Sequence, residues 1–152
     1  MASKAPTLAT FIGASSPATA IANLSMLEVP DGSPDFDLLE AWNERQVALA
    51  LIEQRGRYFS GGSHSPVAFA MFEKADSLVY KLPAKTPAGI LAKLWVALSY
   101  GGDPVTTEED RAETDAIRRA DLAEVETFAD TLNCDQEIVF SAIRSLDAQV
   151  RR

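Results

Sequence analysis

The sequence predicts an all-α fold: a four- or five-helix bundle around one buried central helix, preceded by an extended N-terminal arm. Three observations carry that expectation. Apolar residues recur at helical spacing over residues 34–55, 67–80 and 122–150, residues 82–102 are apolar on almost every face, and neither glycine nor proline occurs after Pro104. With 152 residues at 47% hydrophobic composition, the chain can bury one core without a disulfide or a metal. The expected division is an arm over 1–33 and a single helical domain over 34–152.

The central helix is marked at both ends. Thr86 is the expected N-cap, Pro87 the first helical residue and Gly101-Gly102 a left-handed exit. At about 100° per residue, Ile90, Leu91, Leu94, Trp95 and Leu98 form one apolar arc, with Ala88, Ala92 and Ser99 in a second arc of small residues. Such a helix needs neighbours on two sides. Gly89 within it costs about 1 kcal/mol relative to alanine, which implies the close approach of another backbone beside Ala88 and Ala92.

The other elements follow in order. Residues 1–34 are rich in Ala, Ser, Thr and Pro and keep no period, apart from one expected turn over 19–27 that docks Ile21, Leu24 and Leu27. Ser33 as N-cap, Pro34 at the first position, and Asp35 and Asp37 in the first turn open a helix that ends at Gly56. In it, Leu38, Leu39, Trp42, Leu49 and Ile52 face the core, with Arg45 and three glutamates on other faces. A loop containing His64, the one histidine, leads to Ser65-Pro66 and a second amphipathic helix that Pro83 breaks. Thr107 and Asp110 resemble a capping box, and residues 108–121 read as a water-facing helix start. From Leu122 onward the apolar stripe fits either one long helix or two helices broken near Asn133, where Gln136 completes a second cap.

Charge and composition narrow the function. The net charge of −8 is segregated: residues 1–76 carry −4, residues 77–102 carry +3 from three lysines, and residues 103–152 carry −7. An acidic chain without a basic stripe is a poor ligand for nucleic acid. One cysteine, Cys134, excludes an internal disulfide and a cysteine-based zinc site, and is expected to be buried. No apolar run reaches the roughly 18–20 residues of a membrane span, and residues 1–25 lack the features of a signal peptide, so a cytoplasmic location is expected. No metal and no cofactor is expected. Asp31, Ser33, Asp35 and Asp37 imitate the start of a calcium loop, but Phe36 stands where its glycine belongs and Trp42 where its glutamate belongs. His64 and Cys134 match no nucleophile–base context, and no catalytic residue is assigned.

The segment Pro83-Ala84-Lys85-Thr86-Pro87-Ala88-Gly89-Ile90-Leu91-Ala92-Lys93 resembles a P-A-x-T-x-x-G-x-x-A-K pattern in small helical proteins of alphaproteobacteria and their prophages. The resemblance spans residues 35–100. It implies a similar helical core and a bacterial or phage setting, and brings no activity with it.

Three functions are compatible with these features. The first is a non-enzymatic interaction or regulatory protein acting through helix faces, including as a homodimer paired along Val139, Ile143 and Leu146. The second is a phage-type inhibitor whose acids, among them Glu108, Glu109, Asp110 and Glu113, enter the basic groove of a nucleic-acid enzyme. The third is a ligand binder or small enzyme that holds an anion with His64, Lys85 and the free N–H groups behind Thr86.

Overall fold

The computed structural model describes residues 24–54 and 66–152, and every regular element in them is helical. In chain order these are α1 (Phe36–Gln54), α2 (Pro66–Lys81), α3 (Pro87–Tyr100), α4 (Glu108–Arg119), α5 (Leu122–Thr127), a 3-10 turn (Ala129–Thr131) and α6 (Cys134–Val150). No helix among the described residues is long and apolar enough to cross a membrane. The loop carrying His64, the Gly56 stop, the Ser65 cap and residues 1–23 of the arm lie outside the described residues.

Helix α3 is the centre, as its all-round apolar character requires: it touches α1, α2, α4 and α6. Leu91, Ala92, Trp95, Val96 and Leu98 are all buried, and Trp95 meets Phe140 of α6 edge to face at 6.4 Å between ring centroids. Its start is built as expected, with Thr86 Oγ1 accepting the Gly89 N–H at 3.1 Å and Pro87 at the first position. Its end is not. Gly101 is right-handed (φ −85, ψ 0), and its N–H bonds back to the carbonyls of Ala97 and Leu98. The Gly101 carbonyl is taken instead by Asn133 Nδ2 at 3.2 Å, so the start of α6 satisfies the exit of α3.

The acidic half divides twice, so that the described residues hold six α-helices. At Asn133 the signal is local: its Oδ1 accepts the Gln136 N–H at 3.0 Å, and Gln136 Oε1 accepts the Asn133 N–H at 3.1 Å. Asn133→Ala removes this box together with the tie to Gly101. A loss of about 1–2 kcal/mol is expected, read as a lower urea midpoint at unchanged slope. At the earlier division, Asp121 Oδ1 caps the new helix by accepting the Glu124 N–H at 3.0 Å, but the stop before it carries no glycine or proline. Ala120 is left-handed (φ 55, ψ 41), its N–H bonds to Ile117 O, and the next N–H, of Asp121, reaches Ala116 O. This is a Schellman closure with alanine where glycine is usual, a conformation that costs an L-residue roughly 1–2 kcal/mol. It turns the chain so that Ala116, Ile117 and Ala120 are buried and only the outer side of α4 meets water.

Residues 24–33 are not helical. They form an extended strap on α1, tied by side chains: Trp42 Nε1 donates to Ser25 O at 2.9 Å, and Asn43 bonds both the N–H (2.9 Å) and the carbonyl (2.8 Å) of Leu27. Leu27 is buried against the core, and Arg151 fixes the far side of the strap by donating to Ser25 Oγ at 2.9 Å. Gly32, at φ 73, supplies the left-handed corner of the turn closed by Ser33 N–H to Pro30 O, after which α1 begins at Phe36.

Candidate functional site

The helix start at Lys85 and Thr86 does hold an anion, and the anion is the chain's own. Asp35, 2% exposed, accepts the Lys85 N–H at 2.9 Å, the Thr86 N–H at 2.7 Å and the Thr86 hydroxyl at 2.7 Å. Burial alone would push its carboxyl up. The Thr86 hydroxyl, the two backbone donors and the Lys85 charge outweigh that and hold it below the ordinary carboxylate range. Asp35 therefore takes the Lys85 and Thr86 backbone N–H groups and the Thr86 hydroxyl, Lys85 itself is exposed, and His64 lies outside the described residues. Asp35 also accounts for Gly89. A Cβ there would stand 2.2 Å from Asp35 Oδ2, so the close approach is by a carboxylate and not by another backbone.

Of the two other predicted surfaces, the α6 stripe is packed within the chain and the acidic one is engaged only in part. Ile143 is fully buried, and Val139 and Leu146 pack on the same core, so the α6 stripe faces α3 and is not available for pairing with a second copy. Of the acids, Asp110 caps its own helix: the Thr106 N–H and hydroxyl and the Thr107 N–H all donate to it, and they hold its carboxyl at about 2. Glu108 pairs with Arg111 at 3.2 Å, and Glu113 accepts from the Thr131 hydroxyl at 2.7 Å, while Glu109 is exposed. Cys134, expected in the core, is exposed as the first residue of α6.

A different cluster lies where α1, α2 and the end of α3 converge. Arg45 of α1 is 1% exposed, and a buried guanidinium requires a partner. Its Nε donates to Asp76 Oδ1 of α2 at 2.7 Å and its Nη1 to the Arg118 carbonyl at 3.0 Å, with the rings of Trp42 and Phe72 at 5.5 and 5.1 Å. The second oxygen of Asp76 accepts the Tyr100 hydroxyl. Burial pulls Arg45 down and Asp76 pulls it back, while the hydrogen bond to Asp76, followed by burial, pushes the Tyr100 phenol up. The Arg45 guanidinium and the Tyr100 hydroxyl thus donate to the two oxygens of one carboxyl group.

Asp76 and Tyr100 of this cluster also line an open cleft. After the Pro83 hinge, α2 and α3 diverge and leave a groove of about 900 Å³ lined by Phe69, Val79, Tyr80, Val96, Ala97 and Tyr100. Lys93 closes one rim by donating to Tyr80 O at 2.9 Å. A second cavity of about 400 Å³ shares the wall of Phe69, Phe72, Asp76 and Tyr100 and reaches Leu49, Ile52 and Arg118. Among the described residues, no group of three or more His, Cys, Asp or Glu side chains is placed to hold a metal ion.

Sequence reasoning placed Arg45 on an outer face and passed over Asp76, Tyr100 and Arg118. A signal was present in the spacing. Arg45 lies three residues from Trp42 and four from Leu49, and Asp76 lies four from Phe72 and three from Val79, so opposite charges sit on the apolar faces of consecutive helices. No family model, curated protein or solved structure matches the chain.

Proposed function

We propose that this chain is a non-enzymatic binding protein whose α2–α3 groove receives an amphipathic helix of a protein partner. The observation that supports this reading is an apolar groove that the described residues leave unfilled between two helices of the core, flanked by Tyr80 and Tyr100 at 71% and 68% exposure. Exposed tyrosines on an apolar cleft are the usual anchors of a protein interface, because they bury a large area with few rotatable bonds. From Phe69 to Tyr80 the groove runs for about 16 Å at the helical rise, or three turns, which suits a guest that inserts side chains at i, i+3 or i+4, and i+7. Of the polar groups that line it, Asp76 and Tyr100 are bonded to each other, and Asp76 also to Arg45 behind them, which favours support over chemistry. A free and exposed Cys134 suits a reducing compartment such as the cytoplasm.

The reading is tested by selecting displayed peptides against the full chain and against Ala97→Arg. Ala97 is exposed and lines the groove, so arginine there obstructs the groove while leaving the core intact. Selected peptides are expected to share a three- to four-residue apolar period and to lose at least about tenfold in affinity on Ala97→Arg. Peptides without that period, or with equal affinity for the variant, contradict the reading.

A further inference from the structure

The second cavity is lined by an arginine, Arg118, that pairs with no carboxylate among the described residues. Its volume, about 400 Å³, falls at the small end of the range for small-ligand pockets, roughly 300–1,000 Å³. Leu49, Ile52, Phe69 and Phe72 supply an apolar wall, while Tyr100 and Arg118 supply the polar end. Most of the polar capacity is already engaged: Arg45 and the Tyr100 hydroxyl both bond Asp76, and Ser99 Oγ donates to Val96 O at 2.7 Å.

Arg118 is different. It is half-buried at the edge of the cavity and has no carboxylate partner among the described residues. Its charge also stands close enough to Arg45 to oppose it, while Asp76 pairs with Arg45. A guanidinium presents five N–H donors in a planar fork that matches a carboxylate, and beside an apolar wall it is screened less than in water. With Asp76 matched to Arg45, the surplus is a single positive charge, which suits a monoanion. A dianion such as phosphate would leave a negative charge facing Asp76.

We infer that this cavity binds a small amphipathic monocarboxylate, with its carboxylate on Arg118 and its hydrocarbon or aromatic body against Leu49, Ile52, Phe69 and Phe72. This site shares Phe69, Phe72, Asp76 and Tyr100 with the helix groove but stands if no helical peptide binds there, because Arg118, Leu49 and Ile52 do not line the groove.

The probe is 4-phenylbutanoate, titrated calorimetrically into the full chain beside its neutral analogue 4-phenylbutan-1-ol, with each repeated on Arg118→Met and Arg118→Lys. The acid is expected to bind at least about tenfold more tightly than the alcohol. Arg118→Met should remove that preference without weakening the alcohol, and Arg118→Lys should restore part of it. Equal affinities for acid and alcohol on the native chain overturn the inference, as does the absence of saturable binding of the acid at millimolar concentration. The comparison on the native chain decides the matter even where a variant fails to fold.

Discussion

Asp76→Ala is expected to destabilise the protein by about 3–5 kcal/mol, because it leaves the Arg45 guanidinium charged and buried without its carboxylate. The surroundings offer little compensation. Arg45 is 1% exposed, its remaining polar contact is the Arg118 carbonyl, and the two aromatic rings beside it do not replace an anion. Tyr100 loses its acceptor in the same step. Replacing both members, Arg45→Met with Asp76→Leu, removes the uncompensated charge together with the desolvation it requires. The double variant should therefore be more stable than Asp76→Ala despite carrying two changes. Urea denaturation of the three proteins measures this. A loss below about 1 kcal/mol in Asp76→Ala would match a solvated surface pair and not the buried one described here.

Gly89→Ala should show an effect whose sign depends on a residue 54 positions earlier in the chain. On the native background the new Cβ meets Asp35 Oδ2 at 2.2 Å and must displace the carboxylate from the Lys85 and Thr86 donors. Hydrogen bonds to a charged group contribute roughly 1.5–3 kcal/mol each, whereas alanine returns about 1 kcal/mol of helix propensity. A net loss of about 2–4 kcal/mol is expected. In an Asp35→Ala background the next neighbour is Ala84 Cβ at 3.4 Å, an ordinary contact. There Gly89→Ala should be neutral or stabilising by up to about 1 kcal/mol. Destabilisation of equal size in both backgrounds would show that the carboxylate is not what excludes the side chain.

The same clamp sets a pH dependence. The folded-state pKa of Asp35 lies below its unfolded value, so its contribution is complete above the unfolded pKa and is lost as pH falls through the lower, folded one. The stability gap between the native chain and Asp35→Ala should be constant near neutrality and narrow below about pH 4.

What could be read from the sequence was the short-range part of the structure. Thr86 with Pro87, Thr107 with Asp110, and Asn133 with Gln136 each complete their hydrogen bonds within three residues, and all three caps form where the residues indicate. The all-round apolar character of α3 likewise identified the centre of the fold. Features that depend on distant partners were not legible. Asp35 reads as a first-turn acid of α1, and only the packing of α1 against α3 brings its carboxylate to Thr86. The turn at Ala120 carries no glycine or proline because burial of the alanine accompanies a conformation that glycine would usually supply. The apolar stripe of α6 indicated a contact but not which one, and α3 of the same chain takes it. Arg45 and Asp76 each fall on the apolar face of their own helix, but that they pair with each other follows only when the two faces are joined.

The claim at the centre of this account is that the cleft between α2 and α3 is the surface through which the protein binds. Mapping amide chemical-shift changes on the full chain, with the tightest peptide from the selection, addresses it most directly. The account predicts changes concentrated on the facing residues of α2 and α3, including Ser77, Tyr80, Lys93, Ala97 and Tyr100. Changes centred on Glu108, Glu109 and the outer side of α4, or on Ile138 of α6, with the cleft unaffected, would contradict it.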